Sequence, residues 1–176
     1  GKTTYANAVT RLIKRYMQNP YYFVPGNGKA VCNYVYIDDI ITGHLLAMEH
    51  GINGERYILG GTNISYNELF ELLHQISGLR RRRIPIPQNV LVGFSYLHLM
   101  AKCLQKTDAT FTPELSRRLC NSRMLSSQKA SDELGYAPID LETALRKTIS
   151  FLGFTKSDLP IPLSGEINPM VKYSTS

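Results

Sequence analysis

The stretch from Asn33 to Asn63, NYVYIDDIITGHLLAMEHGINGERYILGGTN, most constrains the fold. Asn33 to Ile37 is a β-branched and aromatic run of the kind strands prefer. Asp38–Asp39 follows as a predicted N-cap, with negative charge where the first N–H groups of a helix lack partners. From Ile40 the apolar residues recur at helical spacing, Ile40, Ala47 and Met48 on one line and Ile41, Leu45 and Met48 on the next. His44 falls on that face and is expected as a packed, hydrogen-bonded core residue. Gly51 is the predicted stop. Arg56 to Leu59 is a second short apolar run, closed by Gly60–Gly61, and Ser65-Tyr-Asn-Glu68 is a capping box opening the next helix. The pattern is a compact strand–helix–strand unit, which points to an α/β chain.

Around this unit the sequence predicts more helix than strand. Ala6 to Gln18 places Val9, Leu12, Ile13, Tyr16 and Met17 on one face, and Asn19-Pro20 ends it. Tyr21 to Val24 is a short aromatic strand before the turn Pro25-Gly26-Asn27-Gly28. Ser65 to Ser77 is a helix with Leu69, Leu72, Leu73 and Ile76 inward, stopped by Gly78. The basic run Arg80–Arg83 reads as a solvated segment. It leads into Ile84-Pro-Ile-Pro87, extended but barred by proline from a central strand. Val90 to Lys106 is the longest helix, and its stripe Leu91, Phe94, Leu97, His98 and Ala101 is expected as core or as a cleft wall. Thr112-Pro113-Glu114 opens a short helix as cap, N1 proline and first-turn acid. Ser126 or Ser127 caps the next, which ends at Gly135, and Asp140 caps the last, from Leu141 to about Leu152. Residues 1–153 form one predicted unit, and 154–176, with three prolines and little periodicity, a tail.

Composition removes several function classes. The formal charge is +6, but Arg80–Arg83 supplies much of it in one run without interleaved aromatics, so nucleic acid is not an expected partner. Cys32, Cys103 and Cys120 are odd in number and far apart, which suggests free thiols in a reducing compartment and no zinc site. With no apolar leader behind Gly1-Lys-Thr-Thr, the expected location is cytoplasmic. The Val90–Leu104 helix is short for a membrane span and carries His98 and Lys102, so no membrane partner is expected. The four histidines show no ligand spacing, and the expected metal set is empty.

NYVYIDD, the following Gly43-His44 and GERYILGG resemble the C-terminal half of extended short-chain dehydrogenase/reductases. Ser127-Gln-Lys-Ala130 with Glu133-Leu-Gly-Tyr136-Ala-Pro138 is similar to that family's closing helix and turn. The nearest branch in pattern is the dihydroflavonol-reductase-like group of NAD-dependent epimerase/dehydratases. The resemblance covers roughly residues 1–152. It implies a helix-rich, substrate-binding part of a Rossmann-type α/β fold, with the sheet-building, cofactor-binding N-terminal half absent. The whole protein would use NAD or NADP and transfer hydride to or from a carbonyl or hydroxyl carbon, with a homodimer open to it. This chain alone would bind no cofactor and be inactive. Its sequence holds neither the family's glycine-rich fingerprint nor a Tyr-x-x-x-Lys pair.

Substrate-binding candidates are Asn33, Tyr34 and Arg83, with the catalytic set expected to be empty. Sugar-nucleotide members of the superfamily carry Arg-Asp-Tyr here, the arginine gripping a diphosphate through two oxygens. Cys32 stands in that place and cannot do so, which disfavours the sugar-nucleotide epimerase or dehydratase alternative. Two readings from other classes remain open. Gly1-Lys2-Thr3 followed by a helix, with Val35-Tyr-Ile-Asp38 as a strand ending in an acid, is a partial match to a truncated P-loop nucleotide hydrolase. A non-catalytic interaction module would instead present an exposed strand edge at Tyr57–Leu59, or Arg80–Arg83, to a partner.

Overall fold

The computed structural model describes residues 8–104 and 112–154; the N-terminal Gly-Lys-Thr and the tail beyond Phe154 lie outside them. In chain order the described elements are α1 (Ala8–Gln18), β1 (Tyr21–Pro25), β2 (Val31–Tyr34), α2 (Ile37–His50), β3 (Thr62–Ser65) and α3 (Tyr66–Ser77). After these come β4 (Arg82–Ile86), α4 (Gln88–Leu104), α5 (Pro113–Cys120), α6 (Gln128–Leu134) and α7 (Leu141–Phe151). The arrangement is α/β and helix-rich. β1 pairs in parallel with β4, and β2 pairs antiparallel with β3. Two-stranded sheets are marginal unless a helix covers one face. Here α3 supplies that cover.

α3 is defined at both ends by local chemistry. Ser65 Oγ accepts from Glu68 N at 3.2 Å while Glu68 Oε2 accepts from Ser65 N at 2.7 Å, closing the predicted capping box. Gly78 ends the helix at φ +68°, the left-handed conformation that costs other residues a Cβ clash. Between these ends Leu69, Phe70, Leu73 and Ile76 are buried against Ile13, Tyr16 and Met17 of α1, Val24 of β1 and Leu145 and Ile149 of α7. Phe70 stacks on Tyr22 with ring centroids 4.1 Å apart, and Tyr16 joins them at 5.4 and 5.6 Å. The Tyr16 hydroxyl donates to Leu79 O at 2.7 Å, which satisfies the buried phenol of that seam.

The caps expected at Thr112 and Asp140 are present, accepting from Leu115 N and Thr143 N at 3.2 and 2.8 Å. Pro85 sits in β4 opposite Val24, on a strand with a single neighbour, where a missing donor is tolerated. Arg80–Arg83 is only partly a solvated run. Arg81 donates to Met17 O at 2.8 Å and Arg83 to Asn27 O at 2.5 Å.

Five expectations need correction. β2 stops at Tyr34 because its antiparallel partner β3 begins only at Thr62, so Val35 and Tyr36 leave the ladder and α2 begins at Ile37. Asp38 and Asp39 therefore lie inside the first turn instead of capping it, and Tyr36 caps without a side-chain bond. Asp39 is buried and accepts from Ile139 N at 3.2 Å, tying α2 to the turn before α7. His44 is exposed, with Nδ1 2.7 Å from Ile40 O, because α2 buries the face of Asp39 and Gly43 instead. Gly43 leaves room for Leu59, whose methyls would lie 2.6–2.7 Å from a Cβ there. Arg56–Leu59 forms no strand and sits in neither sheet, and the strand forms at Thr62–Ser65. Finally, Phe94, Leu97 and Ala101 of α4 are exposed, so that stripe is not core.

Burial raises the phenols of Tyr16, Tyr34 and Tyr66 above the ordinary value near 10, Tyr16 to about 12. These groups are neutral in the fold and ionise more readily in the unfolded chain. Their stabilisation is complete below pH ~10 and is lost as pH rises from there toward the folded-state values. In a spectrophotometric titration the exposed phenols should ionise reversibly near pH ~10, while these three should ionise only as helical circular dichroism collapses. Ionisation of all the tyrosines with the helices intact would contradict this burial.

Candidate functional site

β2 is the pivot of the candidate site. Successive residues of a strand point to opposite sides, and Asn33 and Tyr34 divide their roles accordingly. The Asn33 amide is a clamp. Its Oδ1 accepts from Gly61 N at 2.9 Å, and its Nδ2 donates to Gly61 O at 3.1 Å and to Asn63 Oδ1 at 2.9 Å. Asn63 in turn donates to Leu125 O at 2.8 Å and accepts from Leu125 N at 3.1 Å. One asparagine pair thus holds the entry to β3 and the coil before α6. Gly61 must be glycine, because a Cβ there would sit 2.2 Å from Tyr34 O.

Tyr34 is buried, and desolvation pushes its phenol up, with the nearby Cys32 adding to the effect. A cleft of about 560 Å³ opens at this end of β2, between α1, β2, the start of α2 and α7. Ile13, Val35, Ile37, Leu141, Leu145 and Phe151 give it an apolar wall, and Thr10, Asn33, Asp38 and Thr148 supply its polar groups. No lysine or arginine lines it among the described residues. Tyr36 stands at its rim with Lys147 Nζ 5.3 Å from the ring centroid. Asn33 and Tyr34 therefore share one cleft. Arg83 lies on β4 in the other sheet, exposed, with its guanidinium committed to Asn27 O. The α4 helix, expected as a cleft wall, lies outside this lining as well. The walls from α1 and α7 read in the sequence as plain amphipathic core. Only their juxtaposition across more than a hundred residues makes them a site.

A second cleft of about 580 Å³ lies between α1, β1 and α3, with Arg11, Arg15, Tyr21, Phe23 and Phe70 among its lining. None of the sequence-derived candidates lines it. Among the described residues, no group of three His, Cys, Asp or Glu side chains is placed to hold a metal ion.

Comparison with known proteins follows the same outline. Residues 1–60 match the model of the NAD dependent epimerase/dehydratase family. The chain is 27% identical over 131 residues to "Sterol demethylase protein B" of Methylococcus capsulatus, covering 73% of this chain and 39% of that protein. It is 28% identical over 144 residues to "3beta-hydroxysteroid-dehydrogenase/decarboxylase isoform 2" of Arabidopsis thaliana, covering 72% of this chain and 25% of that protein. Among solved structures, UDP-glucose 4-epimerase of Thermotoga maritima superposes with a TM-score of 0.59 at 27% identity, over 84% of this chain and 40% of that one. The protein gox2253 superposes with a TM-score of 0.63 at 29% identity, over 84% and 44%.

The chain is similar, over part of its length, to members of the NAD-dependent epimerase/dehydratase family.

It spans about two-fifths or less of the curated relatives it matches. Its helix-rich α/β fold corresponds to part of the extended short-chain dehydrogenase/reductase fold. NAD is the cofactor implied by the family's name, and the described residues do not fit one. A pyrophosphate needs glycines that open a helix N-terminus to it. Gly60 and Gly61 lead into β3 instead, and their open faces are filled by the Asn33 side chain and the Tyr34 backbone.

The clamp is testable without knowing a ligand. Asn33→Ala should cost about 1–3 kcal/mol in urea unfolding by stranding Gly61 N and O. Gly61→Ala should cost about 2–3 kcal/mol by overpacking. Gly93→Ala in open space on α4 should instead stabilise by up to ~1 kcal/mol. An Asn33→Ala variant as stable as the parent would refute the structural role.

Proposed function

We propose that this chain is the substrate-binding part of an NAD(P)-dependent oxidoreductase acting on a hydroxyl or carbonyl carbon of an apolar, ring-bearing substrate. The observation that carries the reading is the cleft beside β2, whose described lining is apolar with a few hydroxyl, amide and carboxylate groups and without a cation. A diphosphate bound there would meet Asp38 and no guanidinium, at a substantial cost in unpaired charge. Cys32, in place of the arginine carried by sugar-nucleotide members, points the same way. A polycyclic alcohol suits such a wall, and the sterol and hydroxysteroid names of two relatives support that class. The dihydroflavonol reductases that the sequence resembles likewise act without a diphosphate handle.

In this reading NAD or NADP and the tyrosine–lysine pair come from a cofactor-binding half. This chain's own part is to bind and orient the substrate and to exclude water from it. Asp38, exposed at the mouth between β2 and α2, and Thr148 on α7 are the groups that would fix a substrate hydroxyl. Tyr34, buried and neutral, would give the floor its shape.

The test is equilibrium binding of a fluorescent sterol alcohol and of UDP-glucose to the chain, with Val35→Arg as the variant. Val35 lines the cleft and is partly exposed, so the arginine can be accommodated at its rim. The sterol should bind and UDP-glucose should not, and Val35→Arg should weaken the sterol about tenfold or more. Binding of UDP-glucose in preference to the sterol would overturn the substrate class.

A further inference from the structure

The α4 helix is apolar on nearly every side, and the described residues cover very little of it. At ~100° per residue, Leu91, Ser95, His98 and Lys102 share one narrow strip. Those four are buried or half-buried, on a helix whose main partner is α5. The remaining arc, more than half the circumference, presents Val90, Tyr96, Leu97, Leu99 and Met100 to solvent, with Leu97 68% and Met100 66% exposed. A helix that is apolar all round normally lies inside a protein or in lipid.

The charges around it choose between covers. From Leu72 to Thr107 the sequence has no Asp or Glu, yet it holds Arg80–Arg83, Lys102 and Lys106. The rest of the chain carries fourteen basic and fourteen acidic side chains, so the whole net charge of +6 sits in this segment. Arg80 and Arg82 are exposed just before α4. Arg117 is exposed on α5, where Glu114, that helix's one acid, is already held by Arg118 at 2.9 Å. An apolar helix preceded in sequence by exposed cations, and packed on a helix that carries another, matches an anionic lipid headgroup layer over hydrocarbon. No described helix is long and apolar enough to cross a membrane, so the geometry is that of a helix lying in the interface.

We propose that α4, with the arginines that precede it, is a docking surface for an anionic membrane. The sequence alone set a membrane aside because this helix is too short to span one. Its exposure changes the question from spanning to lying flat. The proposal does not depend on the reaction assigned above.

The chain has no tryptophan, so a single introduced indole reports its own surroundings. The experiment uses the 176-residue chain with vesicles of phosphatidylcholine, with and without phosphatidylserine, carrying brominated acyl chains. Leu97→Trp should be quenched by the anionic vesicles, and Met48→Trp, on the exposed face of α2, should not. Leu97→Glu with Met100→Glu should lower the vesicle-bound fraction about tenfold or more. Both side chains are largely exposed, so helical circular dichroism should stay unchanged. Arg80→Ser with Arg82→Ser, or raised salt, should weaken binding to the anionic vesicles about tenfold and leave any binding to neutral ones unchanged. A chain that stays in the supernatant, quenching at Met48 equal to that at Leu97, or indifference to the arginine changes would each overturn the proposal. A dimer that buries Leu97 without lipid would also overturn it and give the face to a second copy.

Discussion

Leu69, Phe70, Leu73 and Ile76 of α3 are almost wholly withdrawn from water, and α1, β1, β2 and α7 are placed by packing on them. Each such side chain contributes about 1.5–3 kcal/mol relative to exposure. No pair of strands in this chain could supply as much by hydrogen bonding alone. Each sheet has two strands, and each is held because α3 and the aromatic seam of Tyr16, Tyr22 and Phe70 cover it. The tight ends of α3, a capping box before and a left-handed glycine after, fix the register of that apolar face. The candidate cleft inherits its position from this arrangement. α1 and α7 pack on one side of the core and leave between them, over β2, the space in which Asn33 and Tyr34 sit.

The same core leaves much apolar surface uncovered. Ile37, Ile41, Leu45 and Met48 form a stripe along α2 at successive turns, all more than half exposed, Met48 at 83%. Beside it residues 56–60 lie outside both sheets. They are tethered to α6 by Lys129, which pairs with Glu55 and lies over the Tyr57 ring, and by the Tyr57 hydroxyl donating to Glu133 at 2.8 Å. Tyr57 and Leu59 pack on the small second core of Ala130, Leu134 and Tyr136, while Ile58 between them faces outward. An alternating segment with one face anchored is what an edge strand looks like before its neighbour arrives. On the proposed reading that neighbour is the sheet of a cofactor-binding half. α2 and α4 would then have different covers, a protein sheet for the first and a lipid surface for the second.

Much of the helical framework was legible because its signals are local. Ser65 with Glu68, Thr112 with Pro113, Asp140, Gly78 and Gly135 each act within a turn of their own position, and each stands where the sequence placed it. α2 was misread because its sequence offers two apolar lines of similar strength. Asp39 and Gly43 win burial only because Ile139, Leu59 and Tyr136 approach from far along the chain. β3 escaped notice because Thr62–Ser65 is short and its strand character comes from β2, through the pairing of Asn33 with Asn63. The cleft was half legible. Asn33 and Tyr34 lie on it, yet Asn33 spends its amide on Gly61 and Asn63, and Arg83 belongs to the other sheet. The opposite wall, from Leu141 to Phe151, has no local signature, since any amphipathic helix would read the same.

On the proposed reading the segment through Tyr57–Leu59 becomes a strand when it pairs with the sheet of a cofactor-binding half. Amide hydrogen exchange of this segment, in the chain alone and in the chain joined to a cofactor-binding half of the related family, tests it most directly. Ile58 and its neighbours should exchange rapidly in the chain alone, while the amides of α3 stay protected. Strong protection should appear at residues 57–59 in the joined protein. Protection of that segment already present in the chain alone, or none gained on joining, would contradict it.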